Sequence, residues 1–147
     1  SVLSSSENGL TCRYYEGEWE QLPDFDALKP VRELRAWDFS FAPVIKREEN
    51  FSVVFDGFLR IDRPGLYTFF TRSDDGSRLW IDGRLVVDND GLHGAREAQG
   101  KIELAPGRHA LRVGFLEKGG QELLQVSFEG PELLKQPLPP SLLYYKR

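Results

Sequence analysis

From residue 50 onward the chain alternates apolar and polar positions with a period of two. Val53, Phe55, Gly57, Leu59 and Ile61 fall on one side, with Ser52, Val54, Asp56, Phe58, Arg60 and Asp62 between them. That period belongs to a strand, because successive side chains point to opposite faces of a sheet. Arg63-Pro64-Gly65 ends the run as a turn. Leu66-Tyr67-Thr68-Phe69-Phe70 is apolar on both faces, as a strand inside a sandwich is. Asp82-Gly83, set between Leu79-Trp80-Ile81 and Leu85-Val86-Val87, is a two-residue hairpin signal. Lys101 to Leu104, then Leu111, Val113 and Phe115, then Leu124, Val126 and Phe128 repeat the alternation, with Ala105-Pro106-Gly107-Arg108 as a further turn. Before residue 50 the pattern is weaker. Gly9 to Tyr15 reads as a first strand, and any helix falls within residues 16–37. Many short strands at about ten-residue spacing, separated by turn chemistry, predict an all-β antiparallel sandwich or barrel. The serine-rich residues 1–8 read as a flexible leader and 9–147 as a single domain.

Composition narrows the function classes. The 147 residues carry a formal net charge of −4, with Lys and Arg scattered rather than gathered into a stripe, so nucleic acid is not an expected partner. No apolar run reaches membrane-spanning length, so no membrane insertion is expected. The chain has no methionine and no signal peptide, which suggests excision from a longer or processed protein. Cys12, the single cysteine, has no internal disulfide partner and reads as a buried thiol.

Chemistry concentrates at Ser73-Asp74-Asp75-Gly76. Two adjacent carboxylates repel, so they are a costly way to build a bend unless a cation lies between them. The plain reading of the same residues is a solvated polar turn. Asp82 reads as a turn residue. Asp88-Asn89-Asp90-Gly91 faintly resembles a calcium loop but lacks a glutamate at the twelfth position, and reads as a polar loop. Trp80 alternates with Leu79 and Ile81 and is expected to pack within the sheet. Trp19 and Trp37 lie in irregular segments; core or surface packing is their expected role, and stacking on sugar rings is the alternative. His93 and His109 lack zinc-ligand spacing. His109 reads as the start of a strand, and His93, in Gly91-Leu92-His93-Gly94, is a candidate ligand-contacting residue. No nucleophile elbow, phosphate loop or histidine-based triad is present, and adjacent aspartates are badly placed to flank a glycosidic bond, so no catalytic residues are assigned.

The run Gly65 to Phe70, Ser73-Asp74-Asp75-Gly76-Ser77-Arg78-Leu79-Trp80-Ile81-Asp82-Gly83, Ala105-Pro106-Gly107-Arg108-His109 and Leu111-Arg112-Val113 resembles the PA14 (anthrax protective-antigen-type) domain. These motifs occur in family order. The resemblance implies a β-sandwich of the kind appended to secreted carbohydrate-active enzymes and adhesins. It further implies a cis Asp74–Asp75 peptide whose carboxylates hold calcium, helped by a second loop that aligns with residues 116–122. Glu117 stands where an asparagine is expected. A glutamate there can ligate calcium as a third carboxylate, or pair with Lys118 or Arg78 and leave the site empty. The expected metal ligands are Asp74, Asp75 and Glu117. The expected glycan contacts are Asp74, Asp75, Gly119, Gly120, Gln121 and His93. The implied function is calcium-dependent glycan or polysaccharide recognition, by a non-catalytic module of a larger secreted, cell-surface or periplasmic protein whose neighbouring domains are its other partners. The alternative is a structural accessory domain that shapes or shields an attached glycosidase and has no ligand of its own.

Overall fold

A computed structural model describes residues 7–145. Among the described residues, eleven strands form two antiparallel sheets. β1 (Leu10–Glu16), β2 (Arg32–Ala36), β3 (Phe51–Ile61), β5 (Ser77–Ile81), β6 (Arg84–Asn89) and β8 (Gly107–Glu117) join in the order β2-β1-β3-β8-β5-β6. β11 (Leu143–Tyr144) adds to β3 as the seventh strand of that sheet. The second sheet runs β10-β9-β4-β7, from β10 (Leu133–Pro137), β9 (Leu123–Gly130), β4 (Gly65–Asp74) and β7 (Arg96–Leu104). The all-β antiparallel sandwich expected from the alternation is the fold observed. Helix among the described residues is limited to two one-turn 3-10 segments, Phe25–Ala27 and Pro140–Leu142. The second lies outside the window expected for helix, placed there by Pro139 and Pro140 at its start.

The period of two explains which face is inside. Phe51, Val53, Phe55, Leu59 and Ile61 of β3, Leu79 and Ile81 of β5, and Leu111, Val113 and Phe115 of β8 meet Tyr67, Phe69, Val126 and Phe128 of the second sheet in one core. The irregular 37–50 stretch closes one end. It inserts Val44 and the partly buried Phe39, Phe41 and Ile45. Phe41 stacks on Phe115 with ring centroids 4.8 Å apart, and Phe39 meets Phe55 edge-on at 5.3 Å. A smaller cluster of Tyr15, Phe25 and Val54, with Trp19 and Leu22 against it, forms where the 19–27 segment folds over the outer face of the seven-stranded sheet. Cys12 is fully buried in the main core, and burial pushes its thiol up to about 12, so it sits as an inert apolar residue.

The sequence boundaries shift in three places. Residues 1–6 of the expected leader lie outside the described residues. Asn8, assigned to that leader, is buried, bridges Tyr144 and donates from its amide to the Leu143 carbonyl at 3.0 Å. The strand expected to begin near Lys101 starts at Arg96, because residues 96–100 pair along β4 although Ala98 is their one apolar side chain. The proline-rich tail contributes two strands, β10 and β11, rather than a plain surface return. The Asp82-Gly83 turn has φ of 51° and 79°, as a type I′ turn requires.

Candidate functional site

The Asp74–Asp75 peptide is cis, as the family resemblance implied. Both residues sit at the exit of β4, just before the turn into β5. That turn is fastened to the end of β8. Asp75 N–H donates to the Leu116 carbonyl at 3.2 Å, and Leu116 N–H donates to the Gly76 carbonyl at 2.8 Å. These bonds fix Asp74 and Asp75 beside the next residue of β8, Glu117. One carboxylate oxygen from each of Asp74, Asp75 and Glu117 lies within 4.8 Å of the others, the one such group of acids, histidines or cysteines among the described residues.

The three acids differ in environment. Asp74 is half-buried and Asp75 buried, and Oδ2 of Asp75 accepts from the Lys118 backbone N–H at 2.8 Å. Glu117 is fully buried, and neither of its carboxylate oxygens makes a hydrogen bond of ordinary geometry, although the Asp75 backbone N–H lies near enough to favour its charged form. Burial, then the negative charges of Asp75, Asp74 and Glu122, push its carboxyl up to about 9. Burial and the neighbouring Asp75 likewise raise the Asp74 carboxyl, against an opposing pull from His93. Neither pairing open to Glu117 in the sequence is formed among the described residues. Arg78 instead forks onto Asp88, at 2.9 and 3.2 Å. A buried polar atom without a partner is costly, so an orphaned carboxylate facing two others is an unusual thing for a fold to keep. Oxygen-only donors in this number suit a hard divalent cation such as calcium, and the residues present fit that ion.

Behind the acids lies a buried polar layer that the sequence did not advertise. Ser73 Oγ and Ser77 Oγ are 2.6 Å apart, and Ser77 Oγ donates to Thr71 Oγ1 at 2.9 Å. Asn89, grouped with a polar loop in the sequence, ends β6 and is buried. Its amide donates to the Thr71 and Arg96 carbonyls at 3.1 and 2.8 Å, and its oxygen accepts from Arg96 Nε at 3.0 Å. The 90–91 backbone presses on the Asp-Asp-Gly turn so closely that a Cβ at Gly76 would meet Gly91 N and O at 2.7 Å. Only the flanking serines of Ser73-Asp74-Asp75-Gly76-Ser77 could have hinted at this layer.

The remaining expected contacts are distributed unevenly. His93 is carried by the same 90–94 loop and lies near enough to influence Asp74 electrostatically. Its Nε2 is 2.7 Å from the Asn89 carbonyl and its Nδ1 2.8 Å from that of Gly94, so the ring is held by backbone. Gly119, Gly120 and Gln121 follow Lys118 in the loop after β8, with Gly120 and Gln121 exposed. Asp90 has a structural task. Its carboxylate accepts from Leu22 N–H at 2.9 and 3.2 Å. Trp19 packs against the small cluster as expected, and Trp37 is 46% exposed beneath the Arg35 guanidinium. Trp80 departs from its expected packing role. It is half-buried and lines a surface groove, because the face of β5 opposite Leu79 and Ile81 is only partly covered.

A family model for the PA14 domain matches residues 6–139, and the chain belongs to that family. It is 27% identical over 139 residues to the anti-sigma-I factor RsgI3 of Acetivibrio thermocellus, covering 93% of this chain and 21% of that protein. It is 33% identical over 81 residues to the alpha-agarase of Thalassotalea agarivorans, covering 54% of this chain and 5% of the enzyme. The chain thus spans about a fifth or less of these curated relatives. Among solved structures, the PA14 sugar-binding domain from an RTX adhesin superposes with a TM-score of 0.78 at 17% identity, over 96% of this chain and 100% of that one, a likeness of fold. No helix among the described residues is long and apolar enough to cross a membrane.

Proposed function

We propose that this domain is a non-catalytic, calcium-dependent glycan-binding module of a larger secreted or surface protein. The observation that carries the reading is Glu117, a buried carboxyl that makes no hydrogen bond of ordinary geometry, one oxygen of which lies within 4.8 Å of an oxygen from each of Asp74 and Asp75. Asp74, Asp75 and Glu117 would hold the ion. Calcium takes six to eight oxygens, so three carboxylates leave positions that water or a vicinal diol can fill. Gly119, Gly120, Gln121 and His93 would border the sugar. The sugar-binding domain of the RTX adhesin, of the same fold and full length, supports the ligand class and the extracellular setting.

A second reading has its own observation. Burial and its acidic neighbours push the Glu117 carboxyl up to about 9, which favours its uncharged form at neutral pH when no ion is bound. A domain in that state can serve as a structural accessory to an attached enzyme, and the alpha-agarase relative is mostly made of other sequence. A glycan array run with calcium and again with chelator separates the two, backed by calorimetric calcium titration. Calcium heat with chelator-sensitive glycan signals supports the lectin. Neither calcium heat nor glycan signal leaves the accessory domain.

A further inference from the structure

A groove of about 600 Å³ opens on the outer face of the seven-stranded sheet. Its floor is a row of side chains set by strand register. Asp56 of β3 pairs with Arg112 of β8, and Arg112 pairs with Trp80 of β5. Directly opposed residues on neighbouring strands have Cβ atoms roughly 5 Å apart. Leu79 and Ile81 are fully buried in the core, so the alternation of β5 turns Trp80 outward into the groove. The wall is the 22–25 segment, with Leu22, Asp24 and Phe25 among its residues.

That wall is fixed from several sides. Leu22 N–H donates to the Asp90 carboxylate. Phe25 lies so near Gly114 that a Cβ there would stand 2.9 Å from the ring. Arg112 joins wall to floor. Its guanidinium donates to Asp26 at 3.0 and 3.3 Å and to Asp56 at 2.8 and 3.1 Å. Burial opposes the Arg112 charge, but these two carboxylates outweigh it and hold its pKa above the ordinary value. Asp56 and Arg112 are therefore oriented before any ligand arrives, which lowers the ordering cost of binding.

The charged groups lining the groove are Asp24 and Asp56 against Arg78 and Arg112, two of each sign. Both arginines are already paired, Arg112 with Asp26 and Asp56 and Arg78 with Asp88 and Asp90, so the groove offers no net attraction to nucleic acid or to an anionic ligand. An apolar ring flanked by fixed donors and acceptors matches a neutral pyranose, which has one face of C–H groups and a rim of hydroxyls. We propose that this groove is a second, cation-independent binding site for a neutral oligosaccharide, with Trp80 as the stacking platform and Asp24 and the Asp56–Arg112 pair as hydroxyl partners. It does not depend on the acid cluster, since none of Asp74, Asp75 or Glu117 lines it.

The test is a titration of the isotope-labelled domain, in chelator, with cellohexaose, xylohexaose and neoagarohexaose. The indole N–H resonance of Trp80, assigned from Trp80→Phe, and the Arg112 amide are followed. Saturable shifts with at least one sugar are expected, and Asp74→Ala with Asp75→Ala should leave them unchanged. Trp80→Ala should weaken binding about tenfold while Trp80→Phe keeps most of it. Trp80 is outside the core cluster, and melting curves check that both variants fold. Three results would overturn the proposal. One is the absence of shifts at millimolar sugar. Another is their loss in the double-alanine variant. The third is a Trp80 resonance that moves with protein concentration alone, which would make the groove a contact for a second copy.

Discussion

His109 and Asp82 meet across two turns, with Nδ1 of the imidazole 2.7 Å from Oδ2 of the carboxylate. The other carboxylate oxygen accepts from the Ala110 backbone N–H at 2.9 Å, and Nε2 of His109 lies 2.7 Å from the Ala105 carbonyl. Asp82, a turn residue by sequence, thereby ties the β5–β6 hairpin to the start of β8. A ring whose two nitrogens both face oxygen acceptors satisfies both only as imidazolium.

The pH dependence follows from that pair. Burial works to lower the His109 pKa from 6.5, but the hydrogen bonds to Asp82 and Ala105 outweigh it and the net shift is upward. A raised folded pKa means that stabilisation is fully present below about 6.5 and fades as pH rises through the folded value. The melting temperature of the parent should therefore fall relative to that of His109→Asn between about pH 6 and pH 8. Parallel profiles from the two proteins would show that the contact contributes no pH-linked stability.

Gly100 marks where the two sheets come together at the β6–β7 edge. It pairs with Phe69 of β4, and a Cβ built there would stand 1.7 Å from the Val86 carbonyl oxygen, a backbone atom that cannot swing away. Gly100→Ala should destabilise the domain by about 2–3 kcal/mol, at the upper end of overpacking costs. Gly83→Ala meets nothing within 4 Å and carries only the strain of φ +79°, for roughly 1 kcal/mol. Urea denaturation of the two variants should rank them in that order, and equal midpoints would refute the close approach.

Asn89→Ala should cost about 2–3 kcal/mol, since it strands the buried Thr71 carbonyl and leaves the partly buried Arg96 carbonyl and Nε without their partner. Asn89→Asp keeps the acceptor but loses the amide bonds to Thr71, Ser73 and Arg96, and should fall near the alanine variant. Thermal melts of the pair check this. An alanine variant as stable as the parent would mean that water replaces the amide at little cost.

The sheets were legible because strand period needs only local pattern. Val53, Phe55 and Leu59 announce a face whatever lies across from it. β10 escaped because Leu133–Pro137 lacks alternation and is recruited by its partner β9. The acid pair was visible as Asp74-Asp75, and its meeting with Glu117 followed only from the family resemblance, since 41 residues lie between Asp75 and Glu117. The outward position of Trp80 depended on which strand face the 19–27 segment would cover. Long-range docking of that kind leaves no mark at period two, nor does the choice of Asp90 as the acceptor for Leu22.

Glu117→Gln is the sharpest test of the candidate metal site. Glutamine has nearly the same shape, and burial beside Asp75 and Asp74 already favours the uncharged carboxyl, so the ion-free variant should melt within a few degrees of the parent. Its neutral amide oxygen is a weaker ligand for a hard cation than a carboxylate. Millimolar calcium should raise the parent melting temperature by mass action on the folded state, and the rise should be reduced in Glu117→Gln and absent in Asp74→Ala with Asp75→Ala. Magnesium, which demands smaller octahedral geometry and sheds water reluctantly, should produce a smaller shift. Scanning fluorimetry across a calcium series and a magnesium series reads the three proteins side by side. If Glu117→Gln keeps the full calcium shift, the buried carboxyl is not a ligand and the ion, where it binds, rests on the aspartates alone. If the parent itself shows no shift, the cluster is a buried polar knot, and the accessory-domain reading takes the place of the lectin.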